Sequence, residues 1–214
     1  MSTKVTIVIP TWQRHELLLE CLNNIETQTY PHKEILIVSD GKDELLRSQF
    51  KFGSTPGRPD GWKNMKVGLI TLGQNWSGLM PRSFGIAPLL VGYLCAGSDY
   101  IMPWCDDERA LVPDHIERMV KILDTYDHVD FVYPRVKIWR NGDPDGPETA
   151  IIGVCPPIEN QITHYMFRAS NLWRFGMPDW ETHPVDWALI KKWMDNGAQG
   201  TMLNAVTFEH RLDQ

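Results

Sequence analysis

Residues 5–9 are apolar or β-branched at every position, Thr6 being the one polar residue. A short apolar run without alternation predicts a strand covered on both faces, as inside a parallel sheet. Pro10 and Thr11 close it, and Leu18, Leu19, Leu22 and Ile25 then recur at helical spacing across residues 15–27. Residues 34–38 repeat the strand pattern and end on Ser39, Asp40 and Gly41. A short helix fits residues 43–49, a third strand residues 66–72, and an apolar helix residues 81–97. Between them, residues 53–61 carry the Gly, Pro and Ser content of an exposed loop. Residues 100–105 read as a fourth strand. Pro113 and Asp114 then start a helix whose face is marked by Ile116, Met119, Val120 and Leu123.

The strand–helix alternation predicts an α/β domain with a mostly parallel central sheet flanked by helices. In such sheets ligands sit outside the carboxyl ends of the strands. Pro10, Thr11, Asp40 and Asp106 all fall at such ends, and so along one edge. The second half is more broken. Residues 130–134 and 136–139 are two strand-like runs, residues 141–146 a turn cluster, and residues 163–172 a strand pair or a strand and helix. Residues 185–196 predict a helix stopping near Gly197, and residues 201–208 a last strand. No repeat, low-complexity tract or linker interrupts the chain, which predicts a single domain.

The 214 residues are 43% hydrophobic and 22% charged, a globular mixture, and the net charge of -6 argues against a nucleic-acid grip. The four cysteines show neither C-x-x-C pairing nor zinc spacing. Cys95 and Cys105 lie in apolar runs, so buried free thiols are expected, which fits a reducing cytoplasm. The N-terminus lacks a signal-peptide layout, and no apolar run is long enough to cross a bilayer, so a cytoplasmic location is expected.

Asp106, Asp107 and Glu108 follow the fourth strand directly. Adjacent like charges repel, so folding alone gains little from them. A divalent cation with a phosphate-bearing ligand would remove that penalty, because hard oxygen donors suit Mg²⁺ or Mn²⁺. The plain alternative is a solvated acidic turn or a helix N-terminus, where acids are favoured anyway.

Four stretches together resemble the GT-A glycosyltransferases, in particular family 2, whose members are inverting and use nucleotide sugars. Residues 5–14 resemble the family's opening strand and its Pro-Thr-aromatic-x-Arg turn; residues 34–41 resemble its second strand with a terminal Asp-Gly. Asn75 to Gly78 with Arg82 to Gly85 resemble its Asn-x-Gly and Arg-Asn-x-Gly stretch, and residues 100–116 its DxD strand and following helix. A weaker match places Phe167-Arg168 and Asp186 on the Phe-Arg and Glu-Asp-x-x-Leu motifs, with Val185 where Glu usually stands.

The resemblance implies a GT-A, Rossmann-like fold, with residues 1–108 as a nucleotide-binding half and residues 109–214 as an acceptor-binding half. It implies a metal-dependent, inverting hexosyltransferase taking sugar from a UDP-linked donor with Mn²⁺ or Mg²⁺. Pro10, Thr11, Arg14, Asp40, Arg82 and Asp106 would contact the donor. Asp40 would accept the imide N–H of the base, and Arg14 would pair with the diphosphate or with Asp40. Arg82 would meet phosphate or a structural carboxylate. Asp107, Glu108 and His210 are the metal candidates: Asp107 in one register, Glu108 if the triple reads D-x-E, and His210 as a further contact or a solvated tail residue. Asp186 is the general base, with Glu181 its nearest rival; a dipole-stabilising acid at a helix start is the plain alternative. Trp180 is an acceptor-stacking candidate, whereas Trp193 reads as packing.

The acceptor is a glycan, a lipid-linked carrier, a protein or, as a minority option that the acidic balance disfavours, a modified nucleobase. Two other classes compete. A sugar nucleotidyltransferase would carry a Gly-rich basic loop after the first strand, and residues 10–15 hold no glycine. A non-catalytic sugar- or nucleotide-binding module would not need Asp106, Asp107 and Asp186 together.

Overall fold

Strand β1 (Val5–Thr11) is buried at every position and has neighbours on both sides. The structure, a computed structural model, describes residues 2–49, 66–76, 86–139, 149–155, 157, 164–177 and 185–211. Its strands continue as β2 (Lys33–Ser39), β3 (Lys66–Thr71), β4 (Tyr100–Pro103), β5 (Glu108–Ala110), β6 (Phe131–Trp139), β7 (Ala150–Ile152), β8 (Met166–Arg168) and β9 (Gly200–Arg211). The helices are α1 (His15–Glu26), α2 (Glu44–Gln49), α3 (Ile86–Cys95), α4 (His115–Thr125), α5 (Asn171–Arg174) and α6 (Val185–Asp195).

The strands form one sheet in the order β3-β2-β1-β4-β8-β6-β9-β5, with β7 also paired to β6. From β3 to β4 every pairing is parallel. Beyond β4 the sheet is mixed: β8 runs antiparallel to β4 and β6, β9 parallel to β6, and β5 antiparallel to β9. The α/β class is as expected, but the parallel character belongs to the first half and to the β6–β9 pair. The difference arises because short β8 and β5 carry no periodic signal of their own.

Period-two alternation sends β1 side chains to two cores. Val5, Ile7 and Ile9 join a cluster with α1 and α4. Val8 joins Val38 in a second cluster with α3 and α6. At Gly92 helix α3 comes so close to the sheet that an added Cβ would stand 2.2 Å from Val8 Cγ1 and 3.3 Å from Val38 Cγ2. The missing side chain is thus a packing requirement, not a helix preference.

Three local readings change. The two runs at residues 130–139 form one strand, β6, whose register with β9 shifts at Pro134/Arg135 and Arg135/Val136. Proline lacks the ladder N–H, so the strand continues past it through a bulge. Strands β5 and β7 escape prediction. The outer edge of β5 is satisfied by a side chain: the Asn24 amide donates to Ala110 O at 3.0 Å, and Ala110 N–H donates to Asn24 Oδ1 at 2.8 Å. Cys95 is exposed and Cys105 only half-buried, so the expectation of two buried thiols fails. Cys95 ends α3, where the apolar face has already turned away. Among the described residues no helix is long and apolar enough to cross a membrane. Residues 53–61, 81–85 and 141–146 lie outside the described set.

Substituting Gly92→Ala improves intrinsic helix propensity by about 1 kcal/mol but forces methyl against Val8. Overpacking of this kind costs about 1–3 kcal/mol. The variant is expected to unfold at lower urea than wild type; an unchanged or higher midpoint would contradict the close α3–β1 contact.

Candidate functional site

Parallel register brings the carboxyl ends of β1, β2 and β4 together. Asp40 N–H donates to Thr11 O, and Trp104 N–H donates to Val8 O, both at 2.9 Å. The chain leaves β1 through Gln13, at φ 55° the one non-glycine residue with positive φ among the described residues. Arg14 follows at the mouth of α1. There it forks over two carboxylates: Nη1 lies 2.9 Å from Asp106 Oδ1, and Nη2 lies 2.8 Å from Asp107 Oδ2. Thr11 Oγ1 donates to the other Asp106 oxygen at 2.7 Å.

The three acids differ sharply in surroundings. The Asp106 side chain is 2% exposed. Burial pushes its carboxyl up to about 6, against the pull of Arg14 and Thr11, with Asp107 and Glu108 adding to the rise. Asp107 is 12% exposed, and its buried Oδ1 has no hydrogen-bond partner. Glu108 is 1% exposed; it stands opposite His210 in the β5–β9 ladder, with His210 Nδ1 2.8 Å from Oε1. Cys105 N–H donates to Glu108 Oε2 at 2.9 Å. Burial raises the Glu108 carboxyl, and the His210 contact opposes this.

Behind Glu108 lies a buried histidine pair. His164 Nδ1 is 3.9 Å from Glu108 Oε2, and its Nε2 is 3.0 Å from Nε2 of His115, whose Nδ1 meets Thr207 Oγ1 at 2.8 Å. Two facing ring nitrogens at that distance share one proton, so the two rings are not both charged. Burial depresses both, His115 to about 3. Trp104 and Phe208 wall the pair, His164 stacking on Phe208.

At the β2 end, Asp40 is buried and its Oδ1 accepts the Trp76 N–H at 2.8 Å. Gly41 sits at φ +127°, with the Trp12 ring where a Cβ would go, 2.6 Å from Cζ3. His15 Nε2 lies 2.9 Å from Asp43 Oδ2, and Asp43 also accepts the Leu46 N–H at 2.9 Å, tying α1 to the start of α2. A cavity of about 510 Å³ opens between α1 and β5 beside the acids, with Glu20, Asn23 and Arg211 on its walls.

The structure therefore gathers Pro10, Thr11, Arg14, Asp40, Asp106, Asp107, Glu108 and His210 along one rim. It pairs Arg14 with Asp106 and Asp107, and Glu108 with His210. Arg82, Trp180 and Glu181 lie outside the described residues; Asp186 is in the first turn of α6, its side chain outside them. Trp193 is fully buried, as packing requires. The sequence reading missed the His115–His164 pair and the His15–Asp43 tie, since isolated histidines carry no spacing signal.

Asp107, which lines the cavity, has the donor chemistry for a divalent cation: a hard oxygen, buried and without a hydrogen-bond partner. Among the described residues no group of three or more His, Cys, Asp or Glu side chains is arranged to hold a metal ion. A cation held here by Asp107 would have to complete its coordination with water and phosphate oxygens.

Residues 6–182 match the sequence profile described as glycosyl transferase family 2. Over 126 residues the chain is 31% identical to the uncharacterized glycosyltransferase YwdF of Bacillus subtilis (strain 168), covering 59% of this chain and 40% of that protein. The S. aureus TarS 1-349 structure in complex with UDP-GlcNAc aligns at TM-score 0.70 and 16% identity, over 99% of this chain and 59% of that one. The mannosyltransferase PcManGT from Pyrobaculum calidifontis, in complex with GDP-Man and Mn²⁺, aligns at TM-score 0.68 and 16% identity, over 99% and 57%. At such identities the likeness is one of fold, the GT-A fold. The chain spans 40% of the curated relative and under two thirds of either structure.

Because His115 stays neutral in the fold down to about pH 3, it refuses a proton that the unfolded chain takes up below about pH 6.5. Stability is therefore lost as pH falls through that window. Asp106, raised in the fold, works in the opposite direction between about pH 4 and 6 and cancels when wild type is compared with a variant. His115→Gln is expected to lose about 2 kcal/mol less than wild type between pH 7 and 5, read from urea unfolding at each pH. Equal losses would mean that His115 titrates normally.

Proposed function

Because this chain belongs to glycosyl transferase family 2, we propose that it moves a hexosyl group from a UDP-linked donor to an acceptor hydroxyl, with inversion. The observation that carries this reading is the strand-end rim, where Asp40 and the Asp106–Asp107 pair flank the Thr11 turn. Nucleotide-sugar complexes of fold neighbours, TarS with UDP-GlcNAc and PcManGT with GDP-Man and Mn²⁺, support it.

The chemistry requires a stabilised leaving diphosphate and a deprotonated acceptor. A divalent cation supplies the first when bound, by neutralising charge on the phosphate oxygens. In this chain Asp107 is the residue to hold it. Asp106, fixed by Thr11 and Arg14, faces the ribose side. Asp40, positioned by the Trp76 amide, receives the imide N–H of the base, and the Pro10–Thr11 turn lies along the nucleoside. Arg82 contributes positive charge to the phosphates. Asp186 takes the acceptor proton, because an inverting displacement needs a base on the face opposite the leaving group. Residues 1–108 thus serve the donor and residues 109–214 the acceptor, which is a glycan, lipid-linked carrier, protein or modified nucleobase. Glu108 and His210, bound to each other, form a supporting pair beside the cation.

Release of nucleoside diphosphate from UDP- and GDP-sugars with Mn²⁺ and acceptor mixtures tests the activity; no release with any donor would favour a binding module. Asp107→Ala is expected to abolish the Mn²⁺-dependent part of UDP binding in calorimetry, and unchanged affinity would move the cation to Glu108. Asp186→Asn is expected to keep UDP binding and lower turnover by about 10²–10⁴-fold; near-normal turnover would remove it as the base.

A further inference from the structure

Arg14 does more than satisfy a charge. Its side chain is 34% exposed, stands at the mouth of α1 rather than inside it, and bridges both carboxylates with its guanidinium. It leaves Asp107 Oδ1 without a partner while neutralising Oδ2. One Asp107 oxygen is thus held by the guanidinium, and the other is buried without a hydrogen-bond partner. We propose that Arg14 is a built-in counter-ion for the acidic rim, displaced onto the donor diphosphate when a divalent cation binds, so that cation and diphosphate load together. This rests on the donor and cation reading above and adds a regulation of that site.

Three physical steps support the exchange. With the site empty of cation, two adjacent carboxylates in a poorly solvated pocket repel, and a forked guanidinium is the side chain best shaped to bridge them. A divalent cation at Asp107 stands close to Arg14, and like charges sharing one carboxylate oppose each other. A diphosphate offers the released guanidinium a second bidentate partner of greater negative charge. Cation and diphosphate therefore each weaken the Arg14–Asp contacts that oppose the other. Such coupling is reciprocal by thermodynamic linkage.

The consequence is a pair of effects with opposite sign. Removing the guanidinium should strengthen binding of the cation alone, because its competitor is gone. The same change should weaken binding of diphosphate at saturating cation, because its partner is gone. A residue that only held the fold would weaken both.

Calorimetry separates these cases, using Mn²⁺ alone and then UDP at saturating Mn²⁺, on wild type, Arg14→Gln and Arg14→Lys. Arg14→Gln is expected to bind Mn²⁺ about tenfold tighter and UDP about tenfold more weakly than wild type. Arg14→Lys keeps one charge without the fork, so it should shift both affinities in the same directions by less; it carries the comparison if the glutamine variant does not fold. Mn²⁺ binding that is no tighter in the variants, or UDP binding that is undiminished, would overturn the exchange. Wild type binding UDP equally with and without Mn²⁺ would instead remove the cation reading on which the exchange rests.

Discussion

Repulsion among three consecutive carboxylates is the constraint around which the rest of this structure is arranged. Asp106 and Glu108 are almost wholly buried and Asp107 nearly so. Such a row persists only where each member is met by a donor or a positive charge. The fold provides these from far along the chain. The β1–β4 register delivers Thr11 to Asp106, the β1–α1 turn delivers Arg14 to Asp106 and Asp107, and the β5–β9 ladder delivers His210 to Glu108. The fold therefore converts a local electrostatic penalty into a long-range tie between its two halves.

The same arrangement divides labour among the acids. Glu108 is drawn inward, accepting a backbone N–H and facing His210, with the neutral His115–His164 pair behind it. Asp106 is fixed from both sides. Of the three acids, Asp107 alone keeps a buried oxygen without a hydrogen-bond partner. The proposed cation at Asp107 rests on that asymmetry, and the same proposal makes the Glu108–His210 pair a rear support. The neutral histidines suit this role, since a charged ring so deep would add cost and draw Glu108 away from His210.

Much of the parallel half was legible because its signals are local. Continuous apolar runs mark β1 and β2, and helical spacing marks α1 and α4. The Asp40, Thr11 and Asp106 ends share an edge because parallel strands ending in polar residues must place them there. The second half was less legible. Strand β5 is three residues long and polar, and it exists because β9 and Asn24 satisfy its backbone on either side. No property of Glu108 to Ala110 alone encodes that. The bulge that carries β6 past Pro134 likewise depends on β9. Arg14 could be read as a diphosphate or Asp40 partner, whereas its contacts with Asp106 and Asp107 link positions over ninety residues apart. Cys95 is exposed although its run is apolar, because a helix end presents its last residues to solvent.

Charge neutralisation at the strand end joins the fold to the proposed function, since the carboxylate row is costly alone and a cation with a diphosphate would offset that cost. The most direct measurement is a crystal structure grown with Mn²⁺ and UDP, with anomalous scattering recorded at the manganese edge. An anomalous peak is expected between the diphosphate and Asp107, with the base beside Asp40 and Arg14 moved from the carboxylates to phosphate oxygens. A peak bound by Glu108 and His210, or UDP seated away from the strand-end rim, would contradict it.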